Sequence, residues 1–214
     1  MADSDAALRE FIEAIVAGDG QGVARLLSAS PGLAAASFDT GATRGGENSY
    51  FLDSIKRWIY ARDTALHMAA AAYQTEIALT LIGAGANVGA RNRRGQEALH
   101  YAAIGSPGSV TWNPGAQAAT IVCLIEAGAD PNAVDMDGVT PLHRAVRTRC
   151  AEAARTLLAH GADPARKNKS GSTPMQLANL NTGRGGTGSA KAKAQQAEIV
   201  RVLEQAVRDR PHSN

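Results

Sequence analysis

Along most of the chain the apolar residues recur three and four positions apart, in short runs that glycine interrupts, and this spacing predicts helices laid in pairs. Ala153, Ala154, Leu157 and Leu158 form one such run, and Gly161 ends it. The same ending returns elsewhere: Leu81-Ile82 precedes Gly85-Ala86-Asn87, Leu124-Ile125 precedes Gly128-Ala129-Asp130, and Leu157-Leu158 precedes Gly161-Ala162-Asp163. Glycine in that place supplies the left-handed conformation of a helix C-cap. A second motif keeps phase with the first. Thr64-Ala65-Leu66-His67 recurs 33 residues on as Glu97-Ala98-Leu99-His100, then as Thr140-Pro141-Leu142-His143, and weakly as Thr173-Pro174-Met175-Gln176. A fixed period is the mark of stacked repeats.

One unit is legible residue by residue. Thr140 is an N-cap whose hydroxyl accepts an orphan backbone N–H, and Pro141 suits the first helical position because it has no N–H to lose. A short helix, a polar turn and a second amphipathic helix follow. Asp137-Gly138 and Ser170-Gly171 read as tight turns before the next Thr-Pro. Each unit is therefore a helix pair with a projecting hairpin.

These residues resemble the ankyrin repeat, whose signature is Thr-Pro-Leu-His at a 33-residue period. The resemblance extends from about Arg9 to Val207 and is most specific over residues 64–168. It implies an all-α ankyrin-repeat solenoid of about five helix-turn-helix units, at residues 9–39, 62–94, 95–137, 138–170 and 171–207, in a single domain over 1–209, with a tail at 210–214. The first and last units are degenerate, as terminal repeats facing water should be. The resemblance also implies a protein-binding groove, formed by the first helices and the hairpins. Met68, Tyr101 and Arg144 follow the motif His, Arg147 lies one turn further, and Tyr73 ends the first helix where the family often has Gly. The hairpin tips present Arg91, Arg93, Arg94, Arg166 and Lys167.

Three insertions depart from the period, at residues 40–61, 105–115 and 181–193. The third is Gly, Thr, Ser, Ala and Lys with nothing large to bury, and reads as a mobile loop. The first is the reverse. Phe51, Leu52, Ile55, Trp58 and Ile59 fall on one face of a helix, with Asp53, Lys56 and Arg57 opposite and Asn48 or Ser49 as N-cap, so an extra amphipathic helix over 50–60 is expected. Its apolar face should pack on the groove side. The second insertion carries Trp112, and Trp58, Tyr60, Tyr73, Tyr101 and Trp112 are expected to converge if both insertions approach the groove.

Composition narrows the function. Only 4% of residues are aromatic, while Ala fills about one position in five, the signature of closely packed short helices. No apolar stretch approaches the roughly 20 residues that span a bilayer, the N-terminus has the wrong charge order for a secretory signal, and two cysteines make no disulfide framework, so a cytoplasmic protein is expected. Net charge is only +2. Residues 163–214 hold 9 basic and 4 acidic side chains, a modest imbalance that favours a solvated face over nucleic-acid binding. His67, His100 and His143 form a ladder without Cys or carboxylate companions at ligand spacing, so no metal and no cofactor is expected, and each His should bond locally to backbone or to the Thr hydroxyl. Cys123 reads as a buried apolar residue and Cys150 as an exposed turn residue. Gly183-Arg184-Gly185-Gly186 lacks the strand and Lys-Ser/Thr of a phosphate loop. The leading reading is a non-catalytic module that binds another protein. The alternatives are a small-molecule pocket or enzyme closed by the aromatic insertions, with His67, His100, Asp63, Tyr73 and Tyr101 as its titratable groups, and an anionic partner held by the basic hairpins and the C-terminal face.

Overall fold

The computed structural model describes residues 2–43, 50–109, 112–180 and 190–209. Helix pairs follow one another: α1 (Ala2–Ala17) and α2 (Gly20–Ala29), α3 (Ala65–Ala71) and α4 (Thr75–Gly83), α5 (Ala98–Ala102) and α6 (Pro114–Glu126), α7 (Pro141–Arg147) and α8 (Ala151–Ala159), α9 (Pro174–Asn179) and α10 (Ala190–Arg208). The first helices stack α1 on α3, α3 on α5, α5 on α7 and α7 on α9, and the second helices stack in parallel from α2 to α10. The core runs between these two layers. Leu66, Leu99, Ile121, Leu124 and Leu142 are wholly enclosed there, each worth about 1.5–3 kcal/mol, and Ala69, Ala70, Ala102 and Ala145 let the first helices approach closely.

The repeated histidines fasten the stack. Nδ1 of His67, His100 and His143 accepts the backbone N–H of Thr64, Glu97 and Thr140, each at 3.2 Å, closing the first turn of its helix. With Nδ1 an acceptor, Nε2 carries the proton and donates across to the following unit: to the carbonyls of Gln96 (3.0 Å), Val139 (3.0 Å) and Ser172 (3.1 Å). The local half of this pattern matches the sequence expectation; the link to the next unit is additional to it. Burial holds all three imidazoles below the ordinary His range, His100 down to about 4. Gly85, Gly128 and Gly161 adopt φ of +94°, +98° and +89°, where a side chain would be strained, and the next residue's N–H reaches back to Leu81, Leu124 or Leu157.

Several expectations are corrected. Residues 51–60 form no helix: β1 (Phe51–Leu52) and β2 (Arg57–Trp58) pair antiparallel around a turn, with Phe51 opposite Trp58 and Leu52 opposite Arg57. The apolar positions fit one helical face, and in the hairpin the adjacent pairs Phe51-Leu52 and Trp58-Ile59 put one apolar residue on each side. Long-range pairing decides between them, because Ile59 lies between two other chain segments, its N–H donating to Tyr50 and its carbonyl accepting from Ala42. Phe38 exchanges backbone bonds with Arg62 and Asp63, so the insertion is sewn to the end of unit one. The first helix begins at Ala2 instead of Arg9. Cys150 is fully buried, its thiol pushed up by burial, while Cys123 is buried as expected. The loop expected at 181–193 falls mostly outside the described residues, and its last four residues are the start of α10.

Candidate functional site

Strand alternation sorts the insertion into two faces. Tyr50, Leu52 and Ile55 pack on the core and Ile59 is buried in it, whereas Trp58 is 36% exposed and meets Phe51 in a tilted ring contact at 4.8 Å. Tyr60, two residues on, lies under two guanidinium groups, Arg93 at 5.4 Å and Arg94 at 5.3 Å from its ring centre. Arg93 and Arg94 in turn border a cleft with Met136 and Asp137 of the next hairpin, and Met136 is 62% exposed. Phe51, Trp58, Tyr60, Arg93, Arg94 and Met136 thus form one surface. Met136 had no sequence signal apart from its place in a hairpin tip.

The other side of the insertion faces the first helices. Arg57 Nη2 and the Tyr73 hydroxyl both donate to the carbonyl of Ile104, at the end of α5. Trp112 is held by its own indole N–H, which donates to Gln117 at 3.0 Å, while Gln117 donates to Ala102 at 2.9 Å. Gly105 is where these parts meet: a Cβ there would lie 2.6 Å from both Cys150 Sγ and Trp112 Nε1. Between the turn of the insertion, Tyr73 and Trp112 remains a cavity of about 280 Å³. The expected convergence of five aromatics is therefore only partly realised. Tyr73 and Trp112 share the cavity, Trp58 lies on the outer surface, Tyr60 is half-buried against the core beneath Arg93 and Arg94, and Tyr101 is in the interior.

Met68 and Tyr101 are not groove surface. All seven residues of α3 are buried, Met68 wholly so. The Tyr101 hydroxyl donates to Asp63 at 2.9 Å and accepts from Asn92 at 3.0 Å, and Asp63 also accepts the N–H of Tyr60 at 2.6 Å. Burial raises the Asp63 carboxyl above its usual range, with His67 and these hydrogen bonds opposing, and raises the Tyr101 phenol further with help from Asp63. In unit four Arg144 takes the place of Tyr101 and pairs with Asp135 at 2.6 Å. Arg147 is half-buried beside it.

The basic tips divide. Arg91 donates to the carbonyls of Gly95 and Val134, and Arg93 to that of Ala42, so both are partly occupied in holding loops together. Arg166 and Lys167 are exposed. Both ring nitrogens of His67 and of His100 are engaged, and among the described residues no group of three His, Cys, Asp or Glu side chains could hold a metal.

The family model described as "Ankyrin repeats (many copies)" matches residues 124–178, and that of the single "Ankyrin repeat" matches residues 62–93. Both ranges coincide with the stacked helix pairs. The chain belongs to the ankyrin-repeat family. Among its relatives, mouse Ankyrin repeat and SOCS box protein 16 is 41% identical over 116 residues, covering 54% of this chain and 25% of the relative. Mouse 2-5A-dependent ribonuclease is 48% identical over 58 residues, covering 27% of this chain and 8% of that protein. The mouse B-cell lymphoma 3 protein homolog is 34% identical over 115 residues, 53% of this chain and 24% of the relative. The matches thus span a quarter or less of each relative's length. Ankyrin repeats are generally protein-interaction modules. Among the described residues no helix of this ankyrin-repeat chain is long and apolar enough to cross a membrane.

Proposed function

We propose that this ankyrin-repeat protein is a non-catalytic module that docks another protein on the outer face of its first insertion and the adjoining hairpin tips. The observation that carries this reading is the exposed Trp58, in ring contact with Phe51 and followed along the chain by Tyr60, which lies beneath Arg93 and Arg94 beside Met136. Aromatic residues, Arg and Met are enriched at interfaces, and a few Trp, Tyr and Arg side chains supply most of the binding energy. Arg144 and Arg147 extend the same first-helix side toward unit four. The second-helix side has a cleft of about 560 Å³ between α8 and α10, but no aromatic residue lines it.

The test is a photo-crosslinking residue placed at Trp58 or, on the second-helix side, at Leu79. In the native host an adduct of defined mass should form from position 58 and be lost on Arg94→Glu. An adduct from position 79 alone would place the partner on the other side and defeat the proposal.

A further inference from the structure

The cavity beneath the insertion has a chemistry of its own, separate from the docking surface. Its floor is aromatic, formed by Tyr73 and Trp112, and its walls bring Arg57, Lys56, Ile55 and Ser106 around it. Among the described residues no carboxylate lines it. Lys56 is tied to Asp53 at 2.6 Å, but both are largely exposed, a pairing worth little in water. Arg57 is different. Its Nη2 is satisfied by the carbonyl of Ile104, while its Nε is buried with no hydrogen-bond partner among the described residues. The guanidinium charge is therefore only partly compensated within the fold, and a guanidinium at a cavity wall is best matched by carboxylate or phosphate oxygens. The Ile104 carbonyl already accepts from both Arg57 and Tyr73.

We propose that this cavity binds a small cyclic ligand bearing one anionic group, a carboxylate or a phosphate, with the anion on Arg57 and the ring between Tyr73 and Trp112. At about 280 Å³ the space falls just below the roughly 300–1,000 Å³ of drug-sized sites, which limits the ligand to about one ring and its charged group. Ser106 and Lys56 are exposed at the rim and leave a way in.

The test uses the full chain in a Trp58→Phe background, where Trp112 is the sole tryptophan and reports on the cavity by its emission. Benzoate and phenyl phosphate are titrated against benzylammonium. Saturable changes with either anion and none with the cation are expected, and which anion binds tells carboxylate from phosphate. Arg57→Lys, which keeps the charge and loses the fork, should weaken binding roughly tenfold. Ser106→Phe should block binding without touching Arg57. Circular dichroism of each variant checks that the repeats are intact. Equal response to benzylammonium, no response to either anion at the solubility limit, or undiminished binding in both variants would overturn the site.

Discussion

The hairpin before α5 and the hairpin before α7 are built alike and fastened differently. In each, one side-chain oxygen accepts two backbone N–H groups: Asn92 takes those of Arg94 and Gln96, and Asp135 takes those of Asp137 and Val139. The remaining end of that side chain meets the residue after the motif His. Under the first insertion this is Tyr101, and the shared charge belongs to the enclosed Asp63; in the more open unit four it is Arg144, paired directly to Asp135. Where water is excluded the chain uses a neutral phenol and one carboxylate, and where some water remains it uses an ion pair. The difference shows that an insertion outside the repeat dictates side-chain chemistry within it, since charge is costly to bury unless fully paired.

The largest expected effect tests this contrast. Asp135→Ala leaves the Arg144 guanidinium 16% exposed without its partner and frees two backbone N–H groups, a loss of about 3–5 kcal/mol. Asp63→Ala leaves only neutral donors, those of Tyr101, Asn92 and Tyr60, and should cost about 1–3 kcal/mol. Denaturant unfolding of the two variants should rank them in that order. Equal losses would mean that the charge left behind in unit four is still well solvated.

Acid is the next lever. His100 in α5 is held at about 4 chiefly by burial, against 6.5 when unfolded, so between these values the unfolded chain binds the extra proton. Its contribution is complete above pH 6.5 and declines as pH falls toward about 4, a loss of about 3 kcal/mol. Gln176 fills the same place in unit five, accepting the Thr173 N–H at 2.8 Å. His100→Gln should therefore keep the first-turn bond, lose the link to Val139 and flatten the acid limb of a stability–pH curve. A limb as steep as in the parent chain would assign acid sensitivity to other groups.

The two carboxyl groups should respond to acid with opposite signs. Burial works to raise Asp135, but the N–H of Val139 and the Arg144 guanidinium together hold it below 3.8, so its contribution fades as pH falls below that value. Asp63 lies above 3.8, so protonation on the way down to 3.8 favours the folded chain. Relative to the corresponding Asn variants, the parent should lose its advantage on acidification at position 135 and gain at position 63. Parallel curves would remove the distinction between the hairpins.

The repeat framework was legible because local chemistry repeats: threonine or glutamate before Leu-His, glycine after a paired apolar step. The insertion was not legible to the same degree. Phe51, Leu52, Ile55, Trp58 and Ile59 satisfy the spacing of one helical face, and the hairpin instead rests on the pairing of Phe51 with Trp58 and on the bonds of Ile59 to Tyr50 and Ala42. Tyr101 and Met68 stand at positions that a bare repeat would leave on its surface. Tyr101 is held in the interior by Asp63 of unit two, whose carboxylate also accepts the N–H of Tyr60 from the first insertion. Trp112 was found by composition, yet its anchor, Gln117, had no signal among the polar residues of an ordinary helix.

Tyr73 and Arg149 sharpen the comparison at its smallest scale. Both end a first helix in the left-handed conformation, at φ +57° and +61°, and both send their N–H back three residues, to Ala70 and Val146. A non-glycine residue there costs about 1–2 kcal/mol, part of which glycine returns as chain entropy. Tyr73 recovers the cost through its bond to Ile104 and its place in the cavity wall. Arg149 does not: it is 3% exposed, and among the described residues neither terminal nitrogen has a hydrogen-bond partner. Arg149→Gly should therefore stabilise the chain by about 1 kcal/mol, through relief of strain and removal of an unpaired buried donor, while Tyr73→Gly should destabilise it by a similar amount. Thermal midpoints that move in the same direction for both would show that the backbone, and not the side chain's partner, decides the cost at this turn.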